Sequence, residues 1–212
     1  MEKATPQRAV RKCEKSIKVV RPLAFEVDDR TLVGALQDDH SWAYEVLYRR
    51  YSEEVLSVLY RVLGSDTEMD ELLNEVFVRA FRNVDAIHDP DKLRSWLAGI
   101  AVFVARGTIR KRRRGRWLQF FDPMVLPEAG SVENGDDARR ALSRTYVLLE
   151  QLSPDDRIIF ALRLIDGREL TEVAEVMGVS LATVKRRLRS AMRRFFAMAK
   201  NEPELEEWLN HA

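Results

Sequence analysis

A cluster of cationic side chains near the C-terminal end of the chain is the strongest candidate for binding chemistry. Six cations lie within ten positions: Lys185, Arg186, Arg187, Arg189, Arg193 and Arg194. Ammonium and guanidinium groups bind phosphate oxygens, and arginine also pairs with guanine in the major groove of DNA. Val184, Leu188 and Ala191 recur among them at helical spacing. The sequence therefore predicts a helix with one apolar and one cationic side, which fits the major groove.

A shorter apolar-periodic run precedes this helix. Val173, Ala174 and Met177 share one face of it, and Gly178 and Ser180 follow. Glycine can adopt the left-handed conformation that ends a helix, and serine is a frequent N-cap. Two helices joined by so short a turn must cross steeply, which is the geometry of a helix-turn-helix. The alternative is an ordinary pair of helices whose basic face is only solvated.

A second cationic cluster lies in the middle of the chain, where residues 106–116 hold seven lysine or arginine residues. Cations at a helix C-terminus gain only about 0.3–1 kcal/mol each from the helix dipole. Neighbouring like charges repel one another, so an external polyanion explains the cluster better than the dipole does. A solvated charge run is the alternative.

The residue types that catalysis or metal binding needs are present only in unsuitable patterns. His40, His88 and His211 lie far apart, and Glu71 and Glu75 lack a second acidic helix to complete a metal site. The sequence has no phosphate-binding glycine loop, no nucleophile elbow and no CxxC pair. We therefore expect a protein without cofactor or metal that is not an enzyme.

The composition is typical of a globular protein. The total charge is nearly balanced, although the cations are concentrated in the two clusters described above. Of its 212 residues 46% are hydrophobic and 33% charged, and the formal net charge is +1. The one cysteine, Cys13, excludes an internal disulfide and gives no sign of an oxidising compartment. There is no signal-peptide core and no apolar run of membrane-spanning length, so we expect a cytoplasmic protein that does not insert into membranes.

Helical periodicity organises the chain into two parts, and no strand pair is apparent. Helices are predicted over 42–63 and 69–84, from Asp89-Pro90 to about Gly115, over 138–152, and from Ser153-Pro154 onward. The predicted fold is all-α, with two small helical domains, the second a helix-turn-helix domain. The boundaries are an N-terminal extension at 1–28, a first domain at 29–116, an acidic linker at 117–137, a second domain at 138–200 and a tail at 201–212.

In order and spacing, these segments resemble the bacterial RNA polymerase sigma factors of the extracytoplasmic-function group over residues 29–197. The resemblance rests on AYEVLYRRY at 43–51, DELLNEVFVRAF at 70–81, LRSWLAGIA at 93–101, LSPDDRIIFALRLIDG at 152–167 and TVKRRL at 183–188. It implies an all-helical sigma factor whose partners are core RNA polymerase and promoter DNA. An anti-sigma factor is a further candidate partner, and the unbound chain is expected to be a monomer.

The resemblance also assigns roles to individual residues. Polymerase binding is expected from the polar face of the second long helix, at Asp70, Glu71, Asn74, Glu75 and Arg79. The arginine-rich end of the third helix would engage the promoter element that melts, through Arg110, Lys111, Arg112, Arg113 and Arg114. In the helix-turn-helix, Lys185, Arg186, Arg189 and Ser190 would face the bases, whereas Arg163 and Arg187 would hold phosphates. Ala182 and Thr183 are further expected DNA contacts. The acidic linker would thread toward the RNA exit path.

The chain departs from the family pattern at several positions. Glu71 and Asn74 stand where Asp and Gln are usual, which is a small chemical change. Val102 and Phe103 replace an Arg-Asn pair, and Gly107 replaces an Asp, at positions where the family handles the melting element. We therefore expect an unusual promoter preference or weakened autonomous melting.

Two other functions fit parts of the sequence. A stand-alone helix-turn-helix regulator would use its N-terminal helices to dimerise on a palindromic site. An enzyme such as a small recombinase would need a strand-rich catalytic domain, whereas the N-terminal half shows only helical periodicity. Oligomeric state and dependence on polymerase distinguish the regulator from a sigma factor.

Overall fold

The computed structural model describes residues 27–64, 67–118, 136–203 and 205, and these residues form helices and turns without a strand. The N-terminal domain contains α1 (Asp29–Gln37), α2 (Ser41–Leu63), α3 (Met69–Arg82) and α4 (Leu93–Leu118). The C-terminal domain contains α5 (Asp136–Leu149), α6 (Pro154–Phe160), α7 (Leu170–Met177) and α8 (Leu181–Ala199). The predicted all-α class with two helical domains is confirmed. The predicted extension, except for its last two residues, and most of the linker and tail lie outside the described residues.

Side-chain capping marks the start of several helices. Asp28 begins α1 by accepting a hydrogen bond from the backbone N–H of Thr31 (2.7 Å), and Ser153 begins α6 in the same way. The prediction that the third long helix ends at Gly115 is wrong, because α4 continues to Leu118. A glycine favours a helix end mainly where it adopts a positive φ, and inside a helix it only lowers stability.

Each domain has an apolar centre formed by the predicted helix stripes. In the N-terminal domain, Leu47 and Leu59 of α2 and Leu93 of α4 are fully buried. In the C-terminal domain, the rings of Phe160 and Phe195 lie 4.7 Å apart and join α6 to α8. Burial of such side chains contributes about 1.5–3 kcal/mol each, so these stripes are the main source of stability within each domain.

The α6 helix continues as a π-helix over Ala161–Ile165 before the chain turns into α7. The wider turn leaves Ala161 and Leu162 buried while Leu164 is 45% exposed. The guanidinium of Arg163 donates to the carbonyl of Arg168, five residues later in the chain, at 2.9 Å. The last turn of this helix therefore has the wider hydrogen-bond spacing of a π-helix in place of the α-helical one.

The apolar core of the N-terminal domain continues into the C-terminal domain. Ile158, Ile159, Val176 and Met177 belong to the same buried cluster as the core of α1–α4. The cluster brings α6 and α7 against α2 and α4, so the two domains pack on each other.

A buried arginine completes this contact between the domains. Arg157 of α6 is 4% exposed, and it donates to the carbonyls of Val62 (2.8 Å) and Leu63 (2.9 Å). The hydroxyl of Tyr146 donates to the carbonyls of Tyr60 (3.2 Å) and Arg61 (3.1 Å). The last four carbonyls of a helix lack partners within it, so side chains of the C-terminal domain satisfy the end of α2.

We predict that Arg157→Met lowers the free energy of unfolding by about 1–3 kcal/mol, because two buried carbonyls lose their donor. Urea unfolding followed by circular dichroism measures this change. The matched control is Arg94→Met, because the Arg94 side chain is 71% exposed in its ion pair with Glu54 and should cost less than about 1 kcal/mol. Equal losses in the two variants would contradict the capping role.

Candidate nucleic-acid interface

The helix-turn-helix predicted from the sequence is formed by α7, the turn at residues 178–180, and α8. Gly178 adopts the left-handed conformation (φ 65°) that ends α7. Ser180 accepts a hydrogen bond from the N–H of Thr183 at 3.2 Å and begins α8. At the start of α7, the backbone N–H of Glu169 donates to the carboxylate of Glu172 at 3.1 Å, so the capping there comes from an acidic pair.

The outward face of α8 carries three of the predicted base-reading cations. Lys185, Arg186 and Arg189 are exposed, and none of them has a side-chain partner among the described residues. Ala182 is exposed, whereas Thr183 and Ser190 are half-buried, and all three lie on the same helix. Unpaired cations on an accessible helix face can contact both phosphates and base edges.

Arg187 is placed differently from its neighbours on α8. Its Nη1 lies 3.3 Å from Oδ2 of Asp155 and 3.4 Å from Oδ1 of Asp156, both in the first turn of α6. Arg194 also approaches Asp156, with Nη1 at 3.9 Å from Oδ2. In this structure Arg187 therefore connects α8 to α6, and a phosphate contact would compete with two carboxylates.

Arg163, the other predicted phosphate contact, lies in the π-helix and is half-buried. Besides its hydrogen bond to the carbonyl of Arg168, its Nη1 lies 3.6 Å from Oε1 of Glu169. Its guanidinium is thus held near the start of α7, which is the first helix of the helix-turn-helix.

The cationic end of α4 is partly exposed and partly paired. Arg110, Lys111 and Arg114 are exposed and have no side-chain partner among the described residues. Arg112 lies 3.7 Å from Glu68, and Arg113 donates to the carbonyl of Leu152 in the C-terminal domain at 3.3 Å. The predicted DNA-binding cluster is therefore divided between at least two directions around the helix.

The polar face of α3 holds the residues predicted to bind polymerase. Asp70, Glu71 and Asn74 are exposed and have no side-chain partner among the described residues. Arg79 donates from Nε (2.9 Å) and Nη2 (2.7 Å) to Oε1 of Glu75, one turn away. All five predicted residues thus lie on one accessible helix face.

One of the residues that depart from the family pattern contacts this face. Val102 is buried, whereas Phe103 is 55% exposed and its ring centroid lies 5.0 Å from the guanidinium carbon of Arg79. Gly107 is exposed, and a Cβ added there would meet no atom within 4 Å. Phe103 therefore supplies a stacking surface for Arg79 in place of hydrogen-bonding groups.

A cavity of about 530 Å³ lies beside the first turns of α4. Phe103, Trp96 and Ile87 line it together with Lys92, and Glu175 of α7 forms part of its wall. Nζ of Lys92 lies 2.8 Å from Oε1 of Glu175, and this hydrogen bond raises the pKa of Lys92. The cavity thus has an apolar floor and is bordered by both domains.

Neither a metal site nor a membrane span is found in the described segments. No three His, Cys, Asp or Glu side chains of these segments are grouped so that they could hold a metal ion. None of their helices is both long and apolar enough to cross a membrane.

Two family models match the chain, and each coincides with one of the domains. Sigma-70 region 2 matches residues 47–115, and sigma-70 region 4 matches residues 142–195. Together these matches span more than half of the chain. The chain belongs to the sigma-70 family. It is a sigma factor of the extracytoplasmic-function (ECF) type, a transcription initiation factor that directs RNA polymerase to specific promoters.

Known relatives and structures agree with this assignment. The sigma factor is similar to the ECF RNA polymerase sigma-E factor of Escherichia coli, with 26% identity over 178 residues that cover 78% of this chain and 91% of the relative. CnrH, solved in complex with the cytosolic domain of CnrY, has a similar fold (TM-score 0.58, 24% identity, 82% of this chain and 98% of that chain). RpoE of Bartonella quintana, solved with the anti-sigma factor NepR, is also similar in fold (TM-score 0.52, 20% identity, 75% and 98%).

The family match does not favour the stand-alone regulator considered from the sequence. The N-terminal helices that the regulator would use to dimerise match region 2 of sigma factors.

Sequence reasoning missed the residues that join the two halves of the sigma factor. Local patterns place Asp155 and Asp156 in the first turn of a helix and give no role to Arg157 or Tyr146. The Asp-Asp-Arg order after Ser153-Pro154 was visible, but its partners lie far away along the chain. Local spacing carries no signal for such contacts.

We predict that Ser180→Ala lowers the stability of the sigma factor by about 1 kcal/mol, because α8 loses the acceptor at its N-cap. Ser180→Gly should cost only a few tenths of a kcal/mol, since glycine is also tolerated at an N-cap. Thermal unfolding of both variants compares the two losses. Indistinguishable effects would show that the Ser180 hydroxyl does not stabilise the turn.

Proposed function

We propose that this sigma factor binds core RNA polymerase through the polar face of α3 and contacts the promoter through α4 and α8. The face of α3 consists of Asp70, Glu71, Asn74, Glu75 and Arg79. The α8 contacts are Ala182, Thr183, Lys185, Arg186, Arg189 and Ser190, and the α4 contacts are Arg110–Arg114. The observation that carries the proposal is the accessibility of the α3 and α8 faces. Each of these two faces holds exposed side chains without partners among the described residues.

Two of the arginines predicted to hold phosphates have carboxylate partners within the chain. We propose that Arg187 and Arg163 act mainly by positioning the helix-turn-helix and contact phosphate only secondarily. Arg187 already faces two carboxylates of α6, and Arg163 is held beside Glu169. Exposed cations on the outer face of α8 need no such exchange of partners before they bind DNA.

The biological setting follows from the same assignment and is also proposed. The protein acts in the cytoplasm, where RNA polymerase is found, and it is neither an enzyme nor dependent on a cofactor. We further propose a first domain at 29–116 and a second at 138–200, with the acidic segment at 117–137 as a linker toward the RNA exit path. An anti-sigma protein is a proposed partner, since a structural neighbour was solved with one.

We predict that Arg186→Glu with Arg189→Glu reduces transcription from the cognate promoter at least tenfold, since each good base contact is worth about 1–3 kcal/mol. Run-off transcription with purified core polymerase on genomic fragments identifies the promoter and measures the loss. Core polymerase binding should be unchanged. The control is the double reversal Arg30→Glu with Lys200→Glu, two exposed cations outside the proposed surfaces; a similar loss there would indicate a general charge effect.

We predict the opposite pattern for Glu71→Lys with Glu75→Lys. Both side chains are exposed, so the fold should persist, while the reversed charge removes the electrostatic complementarity to any surface that pairs with these carboxylates. Co-elution with core polymerase should fall at least tenfold, while circular dichroism remains unchanged. Unaltered polymerase binding would remove α3 from the proposed interface.

Oligomeric state tests the whole proposal against a stand-alone regulator. A sigma factor should elute as a monomer and protect promoter DNA only together with core polymerase. A two-fold dimer that protects a palindrome without polymerase would contradict the proposed function.

A further inference from the structure

Seven large apolar side chains of the described residues are exposed, and three of them lie around one turn of α3. Tyr48 of α2 is 38% exposed, Val78 of α3 is 45% exposed, and Phe103 of α4 is the most exposed of the seven. Single apolar residues are common on protein surfaces, whereas an exposed apolar group with a polar surround marks an interaction site. We call Tyr48, Val78 and Phe103 the α3 apolar row.

Three consecutive residues of α3 connect the members of the row. The ring centroids of Tyr48 and Phe77 lie 4.7 Å apart. Val78 follows Phe77, and Arg79 then contacts the ring of Phe103. Successive residues of an α-helix point about 100° apart, so the row crosses α3 from the side of α2 to the side of α4.

Polar side chains surround Val78 along the helix. Glu71, Asn74, Glu75 and Arg82 stand three, four or seven residues from Val78, so helical spacing places them on the same face. All four are exposed, and the first three belong to the surface proposed to bind polymerase. An apolar centre within a polar rim is the typical composition of a protein–protein interface.

The ring of Phe103 lies closer to this face than to the cations of α4. Its centroid is 5.0 Å from the guanidinium carbon of Arg79, whose Nε and Nη2 both donate to Glu75. Arg110, by contrast, follows Phe103 by seven residues, which is about 10 Å along the axis of α4. Phe103 is therefore continuous with the polar face of α3, although it belongs to the helix that carries the cationic cluster.

We propose that the α3 apolar row is the centre of the polymerase-binding surface and that Phe103 is one of its anchors. This inference rests on the proposed assignment of α3 to polymerase binding. It moves Phe103 from the melting element, where the resemblance placed it, to a protein interface. Aromatic side chains at the centre of an interface carry much of the affinity when they are buried against the partner. The matching surface of core polymerase is accordingly apolar at its centre.

Truncation of the row tests the proposal. Val78→Ser and Phe103→Ser remove exposed apolar atoms and should keep the fold, which circular dichroism checks. Competition with fluorescently labelled wild-type protein measures their affinity for core polymerase. We expect each variant to bind at least about fivefold more weakly, because truncation of an interface anchor is costly. The matched controls are Tyr60→Ser and Leu142→Ser, since these residues are 43% and 42% exposed and lie outside the row. Equal affinities in all four variants would overturn the proposal.

An Arg79→Met background shows whether Phe103 contacts polymerase itself or only positions Arg79. If Phe103 is an anchor, Phe103→Ser should weaken binding about fivefold in this background as well, since its own contact is still lost. Phe103→Tyr, which keeps the ring, should bind within about twofold of the wild type. Phe103→Ser without effect in the Arg79→Met background would reduce Phe103 to a positioning residue and contradict its role as an anchor.

Salt concentration distinguishes the apolar row from the charges at its rim. The loss caused by Phe103→Ser should be the same at about 0.1 M and about 0.5 M salt, whereas the loss caused by Glu71→Lys with Glu75→Lys should shrink as salt screens it. Isothermal titration calorimetry should also give a less negative heat-capacity change on binding for Phe103→Ser, because less apolar surface is buried. A loss that vanishes at the higher salt would show that Phe103 acts through charge and not through apolar contact.

Promoter DNA is the competing partner of Phe103. At sigma concentrations that saturate core polymerase, run-off transcription by Phe103→Ser should equal that of the wild type. Reduced transcription at saturation, together with unchanged core affinity, would assign the ring to the promoter and overturn the proposal.

The two sets of variants on α3 also separate this inference from the proposed function. If Glu71→Lys with Glu75→Lys abolishes core binding while truncation of the row does not affect it, the row is wrong and the proposed role of α3 stands. If truncation weakens core binding while the charge reversal does not, the row stands and the proposed polar contacts are wrong.

Discussion

The packing of the two domains depends on hydrogen bonds to the backbone carbonyls at the C-terminal end of α2. Its last carbonyls carry partial negative charge and have no donors within the helix. Arg157 and Tyr146 donate to them from the other domain, and the two residues whose carbonyls Arg157 reaches, Val62 and Leu63, are buried. Burial raises the pKa of Tyr146, so its hydroxyl remains protonated and available as a donor. The orientation of the helix-turn-helix relative to α4 follows from this contact.

The acidic first turn of α6 organises the charges around it. Asp155 and Asp156 are favourable beside the N-terminus of their own helix, and they also face arginines from two other helices. Arg187 is thereby drawn inward, whereas Arg186 and Arg189 remain on the outer surface of α8. One carboxylate pair thus separates the cations of a single helix into those that hold it in place and those that are accessible to a ligand.

Local sequence patterns predicted the helices and the helix-turn-helix because periodicity and capping act over a few residues. The exposed faces of α3 and α8 could also be predicted, because they lie opposite the apolar residues that recur at helical spacing. The sequence could not predict that Arg157 reaches Val62, since 95 residues separate the two and nothing in local spacing distinguishes a buried arginine from a solvated one. For the same reason Arg113 and Lys111 were grouped together, although Arg113 contacts the C-terminal domain and Lys111 faces outward. The predicted helix end at Gly115 is wrong because the presence of a glycine does not determine which φ it adopts.

The acceptors at the end of α2 are backbone atoms, and this has a consequence for how the protein can diverge. Replacing Val62 or Leu63 with another apolar residue leaves both carbonyls where Arg157 finds them. Inserting or deleting one residue in α2 would instead rotate its end by about 100° and carry the carbonyls away from the guanidinium. Descendants of this chain should therefore tolerate changes of residue type at this joint far more readily than changes in the length of the helix.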